Sequence, residues 1–376
     1  MVHVSGTCDE RFAPVRQAFE ANFERGLDVG ASVAVYLDGE PVVDLWGGFV
    51  DESRQEPWRE DTIINVWSTT KTMTALCALM LADAGELDFA APVARYWPEF
   101  AAAGKEALEV RHLMGHTAGL SGWSEPMAVE DLFDWEKATS LLAAQEPWWA
   151  PGSASGYHAV TQGYLVGEVV RRVSGRSVGR FFAEEIAGPL GADFFIGTPP
   201  EADHRVALVI PPENLPSLAD LPGDSLTVRT LGNPPLEGAS SWSVPWRRAE
   251  IPAAGGHGNA RSVAAVHSVI ACGGEARGVR LLSGEGCERI FEEQSNGPDL
   301  VLGVPIRFGM GFGLSGEMMP AGPRTYFWGG WGGSLVVADL DTRLCVAYVM
   351  NRMESGLVGD DRGASVVLAA AAAAMV

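Results

Sequence analysis

The spacing of apolar residues in the first part of the chain predicts a helix, a pair of strands and a second helix. Residues 9–26 carry an apolar residue at every third or fourth position, which is the period of a helix buried on one face. Residues 30–37 and 41–49 are rich in residue types that favour strands. They lie on either side of Asp38-Gly39, a dipeptide typical of the two-residue turn of a β-hairpin. The next helix is predicted over residues 68–84, followed by a glycine that would end it.

The middle of the chain is predicted to be mostly helical, and its end returns to β-structure. Residues 86–195 are interrupted by prolines but include an amphipathic helix over 160–174. Residues 196–252 hold ten of the 23 prolines and little periodicity, which predicts an irregular stretch, either a lid or pocket wall or a wrapping loop. An alanine-rich helix over 366–376 is expected to close against the sheet. Before it, consecutive strands are predicted over 308–314, 334–339 and 344–350.

This order of elements predicts an α/β (α+β) fold, because β-structure occurs at both ends and helices lie between. An antiparallel sheet domain flanked by helices is expected from residues 1–85 and 240–376. A mainly helical domain with a proline-rich active-site wall is expected as an insertion over 86–239. The active site would lie between the two domains.

Composition and charge exclude several classes of protein. With 47% hydrophobic and 20% charged residues, the chain can bury a sizeable core and is not globally disordered. The formal net charge of −21 makes nucleic acid and anionic membrane surfaces unlikely partners. The longest apolar run is too short to cross a bilayer, which takes about 20 residues, and the N-terminus lacks the pattern of a secretion signal. A cytoplasmic protein is therefore expected.

No metal or organic cofactor is expected. The five cysteines are odd in number and scattered, which favours free thiols in a reducing compartment, although a Cys272–Cys287 pair stays open. His112 and His116 have the i, i+4 spacing of a metal pair. No acidic residue lies between them, and a structural use is favoured.

The tetrapeptide Ser68-Thr69-Thr70-Lys71 is a candidate for nucleophilic chemistry. Residues three apart share a helix face, so the hydroxyl and the amine can meet. A neutral amine can then take the hydroxyl proton as the oxygen attacks a carbonyl. Lowering a lysine pKa from about 10.4 to near 7–8 requires the ammonium form to be destabilised by about 4 kcal/mol relative to the amine. Burial in an apolar helix interface can cause a shift of that size. On these four residues alone, a capping serine beside a solvated lysine explains the pattern equally well.

Four motifs resemble, in the right order, those of the serine β-lactamase and penicillin-binding-protein superfamily. The first is TIINVWSTTKTMTALCALMLADAGELD, which contains Ser68 and Lys71, and the second is LEVRHLMGHTAGL at 108–120. Tyr157-His158-Ala159 stands at the place of the family's Y-x-N motif. The segment WGGWGGS at 328–334 stands at the place of its K-T-G or H-x-G motif. The chain is most similar to the family VIII carboxylesterases, which share the β-lactamase fold.

The resemblance implies a role for each of these residues. Ser68 would be the acyl-accepting nucleophile, Lys71 its base, and Tyr157 the relay that protonates the leaving alkoxide and later helps to activate water. How Lys71 and Tyr157 divide the base role stays open. The oxyanion hole would consist of the backbone N–H groups of Ser68 and Trp331. Contacts with the substrate are expected from Trp328, Gly329, Gly330 and His158.

Two departures from the family motifs bear on the substrate. Trp328 replaces the lysine of the third motif, and Ala159 replaces the asparagine of the second. Both changes remove polar recognition of an anionic amide and leave an apolar pocket. The predicted substrate is therefore a small uncharged ester, cleaved through an acyl-enzyme. The loss of the asparagine also leaves open what holds Lys71 in place, for which His158 is a candidate.

Other readings of the sequence remain open. Residues 175–179 match G-x-S-x-G, with Ser177 as the alternative nucleophile and His257 or His267 as its partner. That motif needs a strand before the serine, whereas the residues before Ser177 predict a helix. The same fold could instead serve an acyltransferase, a D-amino-acid amidase or peptidase, or a weak β-lactamase. A non-catalytic binding or structural protein is the alternative of another class, but it would not need Ser68, Lys71 and Tyr157 together.

Overall fold

The structure is a computed structural model that describes residues 2–214 and 217–375, and a nine-stranded antiparallel sheet organises it. The order of strands in this sheet is β1-β3-β2-β13-β12-β11-β10-β9-β8, while β4 pairs with β5 and β6 with β7. The strands are, in chain order, β1 (Val4–Cys8), β2 (Gly30–Leu37), β3 (Glu40–Gly48), β4 (Ile64–Asn65), β5 (His257–Gly258), β6 (Glu275–Ala276), β7 (Val279–Arg280), β8 (Ser295–Pro298), β9 (Pro305–Phe308), β10 (Gly313–Leu314), β11 (Thr325–Gly329), β12 (Leu335–Asp339) and β13 (Leu344–Met350).

The two ends of the chain meet in the middle of the sheet. β2 lies between β3 and β13, so that Ala34 is opposite both Asp44 and Ala347. The β2–β3 hairpin turns at Asp38 and Gly39, whose φ angles of 52° and 83° suit a two-residue turn. The predicted hairpin is therefore confirmed, and so is the sheet built from both termini.

Helices cover both faces of the sheet at this junction. A side chain at Gly363 of the last helix would touch Tyr348, whereas the N–H of Ala260 donates to Ser32 Oγ at 3.2 Å. Ser32 pairs with Val349, the neighbour of Tyr348, so the two helices lie on opposite faces. The α-helices are, in chain order, α1 (Ala13–Glu24), α2 (Thr70–Asp83), α3 (Val110–Met114), α4 (Trp135–Ala144), α5 (Thr161–Ser174), α6 (Val178–Phe182), α7 (Gly188–Leu190), α8 (Leu226–Leu231), α9 (Val244–Arg248), α10 (Ala260–Ala271), α11 (Gly284–Glu288) and α12 (Asp361–Ala374).

The central helix α2 is buried on almost all sides and packs against α5, α6 and α11. The helix α5 was predicted to be amphipathic, but its residues from Thr161 to Val170 are all buried. It lies against both α2 and α4, which explains why a polar face is left only near its end, at Arg171 and Arg172. The helix that carries Lys71 and directly follows the candidate nucleophile is therefore held inside the protein.

Several predicted elements differ from the structure. Residues 308–314 do not form one strand, because β9 ends at Phe308 and a turn containing Gly311, with φ of 91°, separates it from β10. The strand β11 was not predicted. Residues 86–134 form turns and short helices rather than mostly helix, since prolines interrupt them. The two later strands are confirmed as β12 and β13.

The last helix and the proline-rich stretch largely follow the prediction. α12 begins five residues earlier than expected and buries one face at Val366 and Ala370, while Leu368 is 71% exposed. The described residues of 196–252 contain short helical elements of at most six residues. The antiparallel sheet flanked by helices is confirmed, whereas the domain division at residues 1–85, 86–239 and 240–376 stays a prediction.

Two observations concern membranes and thiols. Among residues 2–214 and 217–375, the structure contains no helix that is both long enough and apolar enough to cross a bilayer.

All five cysteines are free, with Cys77, Cys287 and Cys345 buried. The Cys272–Cys287 disulfide that the sequence left open is therefore not formed.

Candidate active site

Ser68 lies on a strained turn that leads into α2. Residues Trp67–Thr69 form a 3-10 turn, and α2 follows directly from Thr70. Trp67 has a φ of 49°, a left-handed value that is rare for a bulky side chain and costs free energy. Ser68 is 8% exposed, at the end of a helix where the first N–H groups lack partners within the helix.

The side chains of Lys71 and Tyr157 meet at the hydroxyl of Ser68. Lys71 Nζ lies 2.9 Å from Ser68 Oγ, and the phenol of Tyr157 donates to the same oxygen at 2.7 Å. Lys71 is 1% exposed and Tyr157 is 2% exposed. The structure thus brings together the three side chains that the sequence singled out, from segments nearly ninety residues apart.

Two backbone carbonyls hold the amine of Lys71. The nitrogen donates to the carbonyl oxygen of Ala159 at 2.7 Å and to that of Ala253 at 2.9 Å. Burial lowers the pKa of Lys71 well below its usual value, because desolvation penalises the ammonium form. Within the described part of the chain no carboxylate lies at ion-pair distance to offset that penalty. A neutral amine has two N–H donors and one lone pair. With both donors on carbonyls, the lone pair is left for the hydroxyl proton of Ser68.

His158 does not hold Lys71, and that part of the prediction is wrong. Its Nε2 accepts from the N–H of Leu120 at 3.1 Å, and its Nδ1 lies 2.6 Å from the carbonyl oxygen of Gly156, to which it donates. Burial lowers the pKa of His158 to about 3, so the ring is neutral. Since the backbone engages both nitrogens and the residue is fully buried, no ring atom is left for a substrate, and the predicted substrate contact is not supported.

Asp299 fixes the backbone of Tyr157. Its Oδ1 accepts from the N–H of Tyr157 at 3.0 Å and from those of Val301 and Leu302 at 2.9 Å each. Burial is the main cause that raises the pKa of the Tyr157 phenol above its usual value. The phenol therefore stays protonated and serves as the donor toward Ser68.

The third motif touches the segment that leads to Ser68. Trp328 and Gly329 end β11, and a Cβ atom at Gly330 would collide with the carbonyl oxygen of Val66. Ser334 Oγ donates to the same carbonyl oxygen at 2.8 Å. Within the described residues, the backbone N–H groups of Ser68 and Trp331 donate to no acceptor.

An uncharged aromatic wall stands beside the candidate nucleophile. Trp328 is 2% exposed, and its ring centroid lies 5.4 Å from those of Tyr157 and Phe308. The ring of Trp331 packs against Trp67 at 4.9 Å. The buried apolar cluster on this side consists of Tyr157, Val301, Ile306, Phe308, Phe327, Trp328, Leu335 and Val337.

The alternative nucleophile Ser177 has no histidine partner among the described residues. It caps α6 and donates to Glu250 at 2.6 Å, and the element before it is the helix α5 rather than a strand. His267 lies 2.9 Å from Thr72 Oγ1, and His257 Nδ1 lies 3.0 Å from the carbonyl oxygen of Gly255. The structure therefore does not assemble a triad on Ser177.

The two histidines of the possible metal pair are bonded within the protein. The Nδ1 of His112 lies 3.0 Å from Thr117 Oγ1, and the Nδ1 of His116 accepts from the N–H of His158 at 3.0 Å. In the described ranges no group of three or more histidine, cysteine or acidic residues is arranged to hold a metal ion.

Sequence reasoning missed three groups at this site. They are the carbonyl oxygens of Ala159 and Ala253 and the carboxylate of Asp299. A backbone carbonyl carries no side-chain signal, so nothing in the sequence marks those two alanines. Asp299 directly follows the Gly-Pro pair that ends β8, and in a sequence such a pair indicates a turn rather than a contact with Tyr157.

Comparisons with known proteins agree with this architecture. The family model described as Beta-lactamase matches residues 19–371. The Esterase/beta-lactamase LipL of Mycobacterium tuberculosis is 39% identical over 374 residues, which cover 95% of this chain and 85% of that protein. The crystal structure of a family VIII carboxylesterase has 43% identity and a TM-score of 0.93, covering 99% of this chain and 100% of that one. A penicillin-binding protein homologue from Caulobacter crescentus has 39% identity and a TM-score of 0.92, with the same coverage of 99% and 100%.

Proposed function

The chain belongs to the beta-lactamase family and is a serine ester hydrolase, and from that premise we propose that it cleaves small uncharged esters through an acyl-enzyme on Ser68. The observation that carries the proposal is the hydrogen-bond set of Lys71. Its amine is buried, is bonded to two carbonyl oxygens and has Ser68 Oγ as its third neighbour.

In the first step, Ser68 Oγ attacks the ester carbonyl carbon while its proton passes to the lone pair of Lys71. The carbonyl oxygen becomes an oxyanion, and the N–H groups of Ser68 and Trp331 are the proposed donors to it. Their lack of other acceptors within the described residues supports this role. The bond from carbon to the alkoxide then breaks, which leaves the acyl group on Ser68.

Tyr157 is the proposed proton donor to the leaving alkoxide. Its phenol already lies 2.7 Å from Ser68 Oγ, next to the point where the bond breaks. It gives its proton to the alkoxide and takes one from the ammonium of Lys71, which restores both groups. The same pair then removes a proton from water as the water oxygen attacks the acyl carbon. The bond from the acyl carbon to Ser68 Oγ breaks, the pair returns the proton to Oγ, and a free acid is the product.

The uncharged wall supports a preference for neutral esters. Trp328 stands where related enzymes have a lysine, and it packs among the rings of Tyr157 and Phe308. The nearest amine is that of Lys71, 4.8 Å from the centre of the Tyr157 ring, and burial keeps it neutral. An anionic substrate would have to be desolvated against this wall without a partner for its charge. A small acyl chain meets no such cost.

A series of p-nitrophenyl esters of increasing chain length, run alongside nitrocefin, tests the proposal. We expect turnover of short-chain esters, little or no nitrocefin hydrolysis, and no turnover by Ser68→Ala. Labelling with a fluorophosphonate followed by peptide mass spectrometry should place the adduct on the peptide that contains Ser68. Ester turnover retained by Ser68→Ala would refute the assignment, and efficient nitrocefin turnover would refute the substrate class.

A further inference from the structure

Arg362 is a buried cation behind the third motif that no step of the proposed mechanism uses. It is the second residue of α12 and is 2% exposed. Its Nη2 donates to the carbonyl oxygen of Gly332 at 2.6 Å, and Gly332 directly follows Trp331. The guanidinium therefore touches the short turn that carries a proposed oxyanion-hole donor.

The remaining donors of Arg362 are also engaged. Nη2 and Nε pair with the carboxylate of Asp360 at 2.5 to 3.2 Å, and Nη1 donates to Asp28 Oδ1 at 2.9 Å. Nη1 also lies within bonding distance of the carbonyl oxygens of Leu27 and Arg352. The planar guanidinium of Arg362, a fork of five N–H donors, is rigid because every nitrogen is hydrogen-bonded. A lysine ammonium cannot reproduce this geometry.

Glycines in the turn make room for this contact. A Cβ atom at Gly333 would lie 2.5 Å from Arg362 Nη2 and would collide with the carboxylate of Asp360. Gly332 and Gly333 have φ angles of 93° and 130°, which side chains rarely adopt. The WGGWGGS segment is therefore shaped to receive the side chain of Arg362.

A continuous hydrogen-bonded path joins Arg362 to the N–H of Trp331. Arg362 donates to the carbonyl of Gly332, whose peptide unit includes the N–H of Gly333. That N–H donates to the carbonyl oxygen of Gly330 at 3.2 Å, and the peptide unit of this carbonyl includes the N–H of Trp331. Two peptide units thus connect the guanidinium to the proposed donor. A cation at one end of such a chain polarises every bond along it.

Given the acyl-enzyme on Ser68 proposed above, we propose that Arg362 is a positioning residue that orients and polarises the Trp331 N–H in the oxyanion hole. The N–H of Glu354 also donates to the carbonyl oxygen of Gly332, at 3.0 Å, so without the guanidinium this carbonyl keeps a neutral donor and loses the charged one. The Trp331 N–H is then less polarised and less well aligned with the oxyanion. The loss falls on the transition state, because the ester carbonyl of the bound substrate carries little charge.

The test compares Arg362→Lys with a matched control, Arg205→Lys, in which the replaced fork pairs with Asp193. Each folded variant is assayed with a p-nitrophenyl ester and with the thionoester that has sulfur in place of the carbonyl oxygen. Because a larger sulfur anion fits the hole poorly, an intact hole favours the oxygen ester. For Arg362→Lys we expect kcat to fall about ten- to a hundredfold with little change in KM, and the ester-to-thionoester ratio to fall as well. For Arg205→Lys, kcat and the ester-to-thionoester ratio should both match those of wild type.

An unchanged kcat, or an equal loss on both substrates, would overturn the role of Arg362. If Arg362→Lys does not fold, Asp360→Asn serves instead, since it keeps a capping side chain of the same size but weakens the hold on the fork. It should lower the ratio in the same direction, and an unchanged ratio would again overturn the proposal. Ser68→Ala separates the two claims: activity retained there contradicts the proposed function, whatever happens at Arg362.

Discussion

The carbonyl oxygen of Ala159 accepts a hydrogen bond of 2.7 Å from the amine of Lys71. The sequence left open what holds this lysine, because the motif lacks its usual asparagine. The backbone of the same position does so, together with the carbonyl of Ala253. Any side chain that preserves the backbone at position 159 therefore leaves the lysine in place.

Replacing Ala159 by asparagine should leave ester turnover nearly intact. The contact with Lys71 uses only the backbone, and the side chain of Ala159 is half-buried. We expect kcat for a short p-nitrophenyl ester to change by less than about threefold, or about 0.7 kcal/mol in activation free energy. A loss of two orders of magnitude, with the fold intact by circular dichroism, would contradict the backbone role.

Replacing Lys71 by arginine should remove the base and place a permanent positive charge where the amine is neutral. A guanidinium does not deprotonate in proteins, so it has no lone pair for the proton of Ser68. We expect kcat to fall about 10²–10⁴-fold, as measured by initial rates. Lys137→Arg is the control, because Lys137 is partly exposed and pairs with Asp131. Full activity of Lys71→Arg would rule out Lys71 as the base.

The stability of the protein should depend on pH through Lys71. Its pKa in the folded state lies well below the unfolded value of about 10.4, so between these two pKa values unfolding takes up a proton at this site. The free energy of unfolding should therefore rise with pH, by up to about 1.4 kcal/mol per unit, until the pH reaches the unfolded pKa. Lys71→Met lacks this contribution. Urea unfolding at pH 7, 8.5 and 10 should show wild type gaining stability relative to the variant, and parallel pH profiles would mean that the folded lysine is charged.

Asp299 should hold Tyr157 in position by accepting hydrogen bonds, and not by its negative charge. Asp299→Asn keeps an oxygen for the three N–H groups, whereas Asp299→Ala leaves all three without this acceptor, two of them in buried hydrogen bonds. We expect Asp299→Ala to lose about 2–4 kcal/mol of unfolding free energy and most of its kcat, and Asp299→Asn to lose clearly less of each. Chemical denaturation and ester kinetics on the two variants provide the comparison. Equal losses would show that the charge, and not the acceptor, is what the site needs.

Ser177→Ala should cost stability and leave activity unchanged. The hydroxyl of Ser177 caps α6 and donates to Glu250, so its removal should lower the free energy of unfolding by about 1 kcal/mol. Ester kinetics should match wild type within error. An inactive but folded Ser177→Ala enzyme would revive the G-x-S-x-G reading.

Much of the fold could be predicted from the sequence because many of its elements have a pattern within a few adjacent residues. The hairpin at Asp38 and Gly39 needs two adjacent residues that tolerate positive φ, and α1 and α12 show their periods within a few turns. Elements that form only against distant parts of the chain could not be predicted in this way. β11 consists mostly of residues that favour strands, but both of its faces are buried, so it shows no alternation of apolar and polar positions that would distinguish it from a buried helix.

The same distinction applies to the site. The sequence by itself indicated that the hydroxyl of Ser68 and the amine of Lys71 can share one face, since residues three apart do so in a helical segment, and the 3-10 turn that leads from Ser68 into α2 preserves that face. Only the tertiary structure decided that this amine is desolvated, that its N–H groups are held by two carbonyls and that the phenol of Tyr157 meets the same oxygen. Desolvation and backbone hydrogen bonds come from packing between segments far apart in the chain. They have no counterpart in the identity of any single residue.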